Sequence, residues 1–385
     1  MKNLHVLTPY SVKPQNIIKF ICKNFSKSDN YFLILADERY VLRNNPALFA
    51  YDNVIFTPAI NKSVISRFKR AIYIGKLFYK SKNIIWHSFS GLSGLQLLCV
   101  SYIFRTKFSW IEYGIDSSEN NTYCSGIKNK FLNYLKENIK AECKFWGSSV
   151  YHNLKKFERK YQSSKKTFFL PQPVNFLNVD FLKKNFVKEV HSSGFKRVLI
   201  GTDGLDCNNH REIVDKMCNF KGMNFSCFVP MNFATSYEYG LDSGKKYLTE
   251  VIEYGNRILE VPFVRLGKSS VEVEKYCKFL NSMDIAIFDC NRPMFLDIIL
   301  YLLFLGKKVY VPFDSALYSS FSVYGLMLFD TNKIKELSYD EFISEFDLSS
   351  NQIIIDKLLN EGYCISNWRY YFDYIEKMKD DYGKN

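Results

Sequence analysis

Residues Arg197–His210 read RVLIGTDGLDCNNH. The apolar run Val198, Leu199, Ile200 stops at Gly201, and a polar string with two asparagines and a histidine follows. A short apolar run, a glycine and then residues of the helix-capping type form the pattern of a strand delivering a tight turn to a helix. Whether the turn cradles phosphate is open at this level. The dinucleotide fingerprint G-x-G-x-x-G is not met, because Gly201 and Gly204 lack the third glycine and the spacing, and G-x-x-x-x-G-K-S/T occurs nowhere. What remains is a helix N-terminus at Asn208, Asn209 and His210, whose N–H groups and positive dipole end can hold a diphosphate without a special motif. The same letters fit an ordinary N-cap on Asn208 equally well.

The grammar of that stretch repeats along the chain. HVLTP, YFLILA, NVIFT, NIIWHSF, FSWIEYG, CKFWGSS and TFFLPQ in the first half, then RVLIGT, FSCFVPM, ILEVPFV, DIAIFD, KKVYVPF and GLMLFD, alternate with longer amphipathic runs. This is the β–α rhythm of parallel sheets covered by helices. It predicts an α/β chain with two Rossmann-like domains, 1–180 and 190–364, separated near the stiff segment PQPVNF with Pro171 and Pro173. The aromatic-rich final helix, 365–385, is expected to pack back on the first domain. Two parallel sheets facing across a cleft would present ligands to the carboxyl ends of their strands.

Charge divides the chain at nearly the same place. Residues 1–195 hold 30 Lys and Arg against 12 Asp and Glu, whereas residues 196–385 hold 22 against 27. A basic N-terminal half points to an anionic partner: nucleic acid, a membrane surface or a phosphorylated acceptor. No nucleic-acid module is recognisable, so nucleic acid is not expected. The ten cysteines form no C-x-x-C pair, which fits free thiols in a reducing compartment, and no metal site is expected. The longest apolar stretches, LSGLQLLCVSYIF and FLDIILYLLFLG, fall short of the ~20 residues needed to span a bilayer. Three basic amphipathic runs in the first half, ISRFKRAIYIGKLFYKSK, IKNKFLNYLKENIKAE and NLKKFERKYQSSKK, could rest on anionic headgroups, although a solvated face is the commoner fate of such runs.

Residues that could carry chemistry stand just after strands. Arg292 follows DIAIFD and could pair bidentately with a phosphate, or lie over the apolar helix behind it. In FSWIEYGIDSS, Glu112, Tyr113, Gly114 and Asp116 follow a strand; Asp116 could deprotonate a hydroxyl as general base, or cap the next helix. In IIWHSFSGLSG, His87 and Ser88 end a strand, and His87 could hydrogen-bond a sugar or phosphate or be structural.

Taken in order, several stretches resemble the bacterial TDP-N-acetylfucosamine:lipid II N-acetylfucosaminyltransferase family. GTDGLDCNNH stands for that family's G-N-S-x-x-x-x-N-N-H and VPMNF for its V-P-L-S-Y. YLTEVIEYG, YCKFLNSMDIAIFDCNR and LGKKVY follow, and WHSF and WIEYGID lie upstream, over roughly residues 83–330. The resemblance implies a GT-B fold, a nucleotide-sugar held by the C-terminal domain, and a polyprenyl-diphosphate-linked saccharide meeting the basic N-terminal domain at the inner face of the cytoplasmic membrane. No cofactor is implied, the nucleotide-sugar being a substrate. It carries donor roles onto Gly201, Asn208, Asn209, His210 and Arg292, and an acceptor-side role onto Asp116, with His87, Ser88, Glu112 and Tyr113 nearby. Thr202, Tyr237 and Asp297 complete the expected donor set at places where this chain departs from the pattern: Thr202 replaces an asparagine, an insertion blurs which of Phe233, Tyr237 and Tyr239 matches, and Pro293–Ile298 replaces Q-Q-G-L-G-N. The rival expectations are a two-domain sugar-nucleotide epimerase and, more distantly, a basic nucleic-acid-binding protein.

Overall fold

The computed structural model describes all residues except 10–12, 62, 90–93, 114–126, 163–164, 172–194, 203, 205, 231–239, 267–272, 291–295 and 383–385. The chain divides into two compact units, Met1–Val174 with Glu361–Asn385, and Asn175–Asn360.

In the first unit, seven parallel strands form one sheet: β1 (Asn3–Leu7), β2 (Asn30–Ile34), β3 (Val54–Phe56), β4 (Asn83–His87), β5 (Phe108–Glu112), β6 (Phe145–Ser148) and β7 (Thr167–Phe169). Their spatial order is β3-β2-β1-β4-β5-β6-β7. The helices are α1 (Lys13–Asn24), α2 (Glu38–Asn44), α3 (Val64–Lys80), α4 (Leu95–Ile103), α5 (Ile127–Glu142) and α6 (Tyr151–Lys160). Their starts are written locally where side chains cap them: Asp37 accepts from Tyr40 N at 3.1 Å, and Ser63 from Ser66 N at 3.1 Å. One face of the sheet packs Leu4, Val6, Trp86, Phe108 and Trp110 against the helices. The alternate positions point to the other face, where the last helix returns: Trp368 donates to Pro171 O at 3.2 Å and stacks on His87.

The second unit holds β8 (Lys196–Ile200), α7 (His210–Lys216), β9 (Phe225–Pro230), α8 (Gly240–Leu259), β10 (Phe263–Leu266), α9 (Val273–Asn281) and β11 (Ile285–Ile287). It continues with α10 (Leu296–Phe304), β12 (Lys308–Val311), α11 (Ala316–Ser322), β13 (Phe329–Asp330), α12 (Tyr339–Ile343) and α13 (Ser349–Leu358), and α14 (Glu361–Tyr382) then belongs to the first unit. Its six strands are parallel in the order β10-β9-β8-β11-β12-β13. Successive residues of β8 supply opposite cores, Leu199 one and Val198 and Ile200 the other. Burial on both faces is why such strands appear as unbroken apolar runs.

One expected strand is divided. Ile258 and Leu259 of ILEVPFV close α8, Glu260 turns the chain at φ 52°, and β10 begins only at Phe263. Pro262 has no N–H for the ladder and contributes only its carbonyl, which accepts from Cys227 N at 2.9 Å. Among the described residues no helix is long and apolar enough to cross a membrane.

Candidate functional site

In each sheet the strand order reverses once, between β1 and β4 and between β8 and β11. Ligands of open α/β sheets bind outside the carboxyl ends of the strands at such a reversal.

The opening stretch lies at the second unit's reversal. Gly201 ends β8 with φ 65°, and its N–H donates to Ile287 O of β11 at 3.0 Å. An added Cβ would stand 2.8 Å from His210 Nε2 and 3.1 Å from Asn208 Oδ1, so both the turn and the space require glycine. Asn208 is not the helix cap. Its side chain turns back and accepts from Thr202 N at 3.2 Å and Thr202 Oγ1 at 3.3 Å, bracing the turn from inside. The cap position belongs to Asn209, left-handed at φ 51°, which makes no side-chain cap bond to α7. Its amide instead donates to Asp289 O at 2.6 Å, and Asp289 holds Lys216 Nζ at 2.8 Å. His210 is buried and pairs with the hydroxyl of Tyr247 on α8 at 3.0 Å. Among the described residues no side chain is seen to cap the first turn of α7, and with only seven residues its dipole is short. The structure brings Gly201, Thr202, Asn208, Asn209 and His210 into one turn and ties it to the strand that leads toward Arg292. Arg292 and Tyr237 lie outside the described residues; Asp297 sits in the first turn of α10.

At the first unit's reversal the polar groups form a buried chain. His5 Nδ1 is 2.9 Å from His87 Nε2, His5 Nε2 is 3.1 Å from Asn30 Oδ1, and His87 Nδ1 is 2.7 Å from the Tyr113 hydroxyl. Asn30 Oδ1 also receives Asn3 Nδ2 at 3.1 Å, while Asn30 Nδ2 donates to Ser26 O at 2.8 Å. That assignment sets the direction of every link: His5 Nε2–H donates to Asn30, His87 Nε2–H to His5, and Tyr113 O–H to His87. All three groups are neutral. Burial holds His5 down to about 4, against the opposing bond to Asn30, and burial reinforced by His5 pushes His87 well below its usual value. Burial, with Cys364 and Glu112 adding to it, raises the Tyr113 hydroxyl well above its ordinary range.

The acceptor-side residues are thus split between two faces of the sheet. His87 and Tyr113 lie toward α14, whereas Glu112 faces the other way, fully buried, and accepts from Ser148 Oγ at 3.0 Å and Asn153 Nδ2 at 2.6 Å. Ser88 follows β4 with a left-handed φ of 63°, its N–H donating to Ile111 O at 2.8 Å. For a residue that is not glycine this is stored strain at a strand's carboxyl end, a place where strain gathers at functional sites. Asp116 lies outside the described residues. Sequence reasoning singled out neither His5, Asn30 and Tyr247 nor Asp289 and Lys216. The available signal for His5 was polar residues at alternate positions, Asn3 and His5, in a strand covered on both sides.

No protein-family model and no curated protein sequence matches the chain. Solved structures do. A glycosyltransferase from Rickettsia africae superposes with a TM-score of 0.64 at 13% identity, over 98% of this chain and 98% of that one. HepE from Anabaena, in complex with UDP, gives 0.63 at 11% identity over 97% of this chain and 100% of that one. UDP-GlcNAc 2-epimerase from Neisseria meningitidis, bound to UDP-GlcNAc, gives 0.55 at 15% identity over 98% and 100%. Likeness over both units at such identities defines the fold: two all-parallel Rossmann-like domains of the GT-B type.

Proposed function

We propose that the chain is a glycosyltransferase moving a sugar from a nucleotide-sugar to a lipid-linked or surface-glycan acceptor in bacterial polysaccharide biosynthesis of the O-antigen or common-antigen kind. The observation that carries the reading is the glycine-bent, internally braced turn from Gly201 to His210 at the strand-order reversal of the second unit. The fold's likeness to proteins solved with UDP and UDP-GlcNAc supports a nucleotide-sugar as the ligand there. The motif resemblance favours TDP as the carrier and an activity like that of the N-acetylfucosaminyltransferase family.

In this reading the acceptor oxygen bonds to the anomeric carbon as the bond from that carbon to the diphosphate breaks. The acceptor proton passes to Asp116, and Arg292 with the His210 turn receives the negative charge on the departing diphosphate. Neither step calls for a metal. The basic first unit would meet a polyprenyl-diphosphate-linked acceptor from the inner face of the cytoplasmic membrane.

A thermal-shift panel of TDP-, UDP-, GDP- and CMP-sugars tests the ligand class, since a ligand bound only by the folded chain raises its melting temperature by mass action. Stabilisation by none of them removes the reading. With the stabilising donor, Arg292→Ala is expected to lower kcat by about 10²–10³-fold, the usual loss when one preorganised charge-stabilising group is removed. The likeness to the Neisseria enzyme favours one alternative, an epimerase. Nucleotide release that depends on an acceptor glycan excludes it, and acceptor-free conversion of the sugar establishes it.

A further inference from the structure

Three basic helices of the first unit could face an anionic surface, and the structure separates them. On α5 and α6 part of the basic charge is paired: Glu137 takes Lys140 at 3.1 Å and Lys160 at 2.7 Å, and Glu158 takes Lys155 at 3.1 Å. Helix α3 has no acidic residue, and Lys69, Lys76 and Lys80 have no carboxylate partner among the described residues.

The apolar side chains of α3 are divided as well. Ala71, Ile74 and Phe78 are buried. Val64, Ile65, Phe68, Ile72 and Tyr79 are exposed by 57%, 68%, 53%, 58% and 77%. At 3.6 residues per turn these five fall within about 100° of the helix circumference, with Lys69, Lys76 and Lys80 along one border. The stripe continues onto the neighbouring helix, where Leu95, Cys99 and Ile103 are exposed at four-residue intervals. Between the two helices runs a groove of about 400 Å³ whose lining includes Ile72, Tyr79, Val100 and Ile103 together with Lys76 and Lys80.

We infer that the α3–α4 face docks on an anionic lipid bilayer. Apolar side chains enter the boundary between headgroups and acyl chains while lysines reach the phosphates, as in helices that lie in a membrane interface. Single exposed apolar residues are ordinary, but a contiguous stripe bordered by lysines without a carboxylate partner among the described residues matches an apolar layer beneath a negative one. This rests on the proposed membrane-side acceptor and names the surface that would reach it.

The test is co-sedimentation with phosphatidylcholine vesicles with and without phosphatidylglycerol. No nucleotide-sugar is present, so the result stands apart from the donor panel. The wild-type chain is expected to bind only the phosphatidylglycerol vesicles. Lys69→Gln, Lys76→Gln and Lys80→Gln together should weaken partitioning by on the order of a hundredfold, roughly fivefold for each charge removed. Phe68→Ser, Ile72→Ser and Tyr79→Ser together should abolish binding, and Lys155→Gln with Lys156→Gln on α6 should leave it intact. These positions are exposed or half-buried on the surface, and melting curves check that each variant folds; the lysine variant alone decides if the apolar one does not. The inference is overturned if the wild type ignores phosphatidylglycerol, if the α6 variant loses binding as the α3 lysine variant does, or if the α3 variants bind vesicles normally and lose a dimer instead.

Discussion

The carboxyl ends of β1 and β4 in one unit and of β8 and β11 in the other occupy equivalent places in the topology, and they put polar groups to opposite uses. In the first unit Tyr113, His87, His5 and Asn30 pass hydrogen bonds inward, each ring nitrogen has a partner, and α14 lies over them. In the second, a left-handed glycine bends the backbone, Asn208 braces it from behind, and among the described residues no side chain is seen to cap α7. A polar network that satisfies itself is architecture, since an unpaired buried group costs free energy. A glycine-bent, braced turn at a strand-order reversal is where the proposed nucleotide-sugar would bind.

The largest expected effect breaks the second region. Gly201→Ala places a Cβ against His210 and Asn208 in a backbone conformation costing on the order of 1–3 kcal/mol for any residue but glycine. Donor-dependent thermal stabilisation should vanish, and the melting temperature of the free chain should fall by several degrees. Unchanged stabilisation by the nucleotide-sugar would mean that the ligand lies elsewhere.

The next effect probes the first region through pH. His5 and His87 have folded pKa values below the unfolded 6.5, so between that value and about 4 the unfolded chain takes up protons that the folded chain refuses. Their contribution to stability is therefore complete above pH 6.5 and is lost as pH falls toward 4. For His5 alone it is on the order of 3 kcal/mol. His5→Gln keeps a polar side chain without the titration and should flatten the fall in melting temperature between pH 6.5 and 4.5. An acid limb as steep as that of the wild type would place the titrating groups elsewhere.

The same contrast explains what could be seen in the sequence. Strands buried on both faces stand out as apolar runs, so Val198–Ile200 and Ile285–Ile287 were visible, and so was the turn after Gly201. Tertiary partners were not. Asn208 fitted an N-cap as well as a phosphate-holding helix start, and its bond to Thr202, which depends on the turn folding back, could not be seen. Glu112 and Tyr113 looked like one cluster, and the pleat of β5 sends them to opposite faces. His5 escaped notice because its partner His87 is far along the chain, joined only by the pairing of β1 with β4. The end of α8 was misplaced because a run of apolar letters carries no period of its own to divide helix from strand.

Two smaller substitutions sharpen the account of the second turn. Tyr247→Phe removes the hydroxyl at His210 Nδ1 and should cost about 1 kcal/mol in stability, the net worth of a typical hydrogen bond. Because it removes one partner of the ring that packs beside Gly201, donor binding should weaken several-fold, measured as a rise in the donor concentration needed for half-maximal thermal shift. Loss of stability with donor affinity intact would make His210 a support for the fold alone.

Thr202→Ala is the mildest. The hydroxyl shares its acceptor, Asn208 Oδ1, with the backbone N–H of the same residue, so the turn keeps the closer of two bonds when the side chain is cut. Thr202 is buried, and losing its methyl and hydroxyl should cost no more than about 1 kcal/mol. Asn208→Ala removes the acceptor for both donors and should cost more, so the ratio of the two effects measures how much of the turn's shape comes from the asparagine. If Thr202→Ala instead weakens the donor as severely as Gly201→Ala, the threonine hydroxyl contacts the ligand directly and the bracing account of the turn fails.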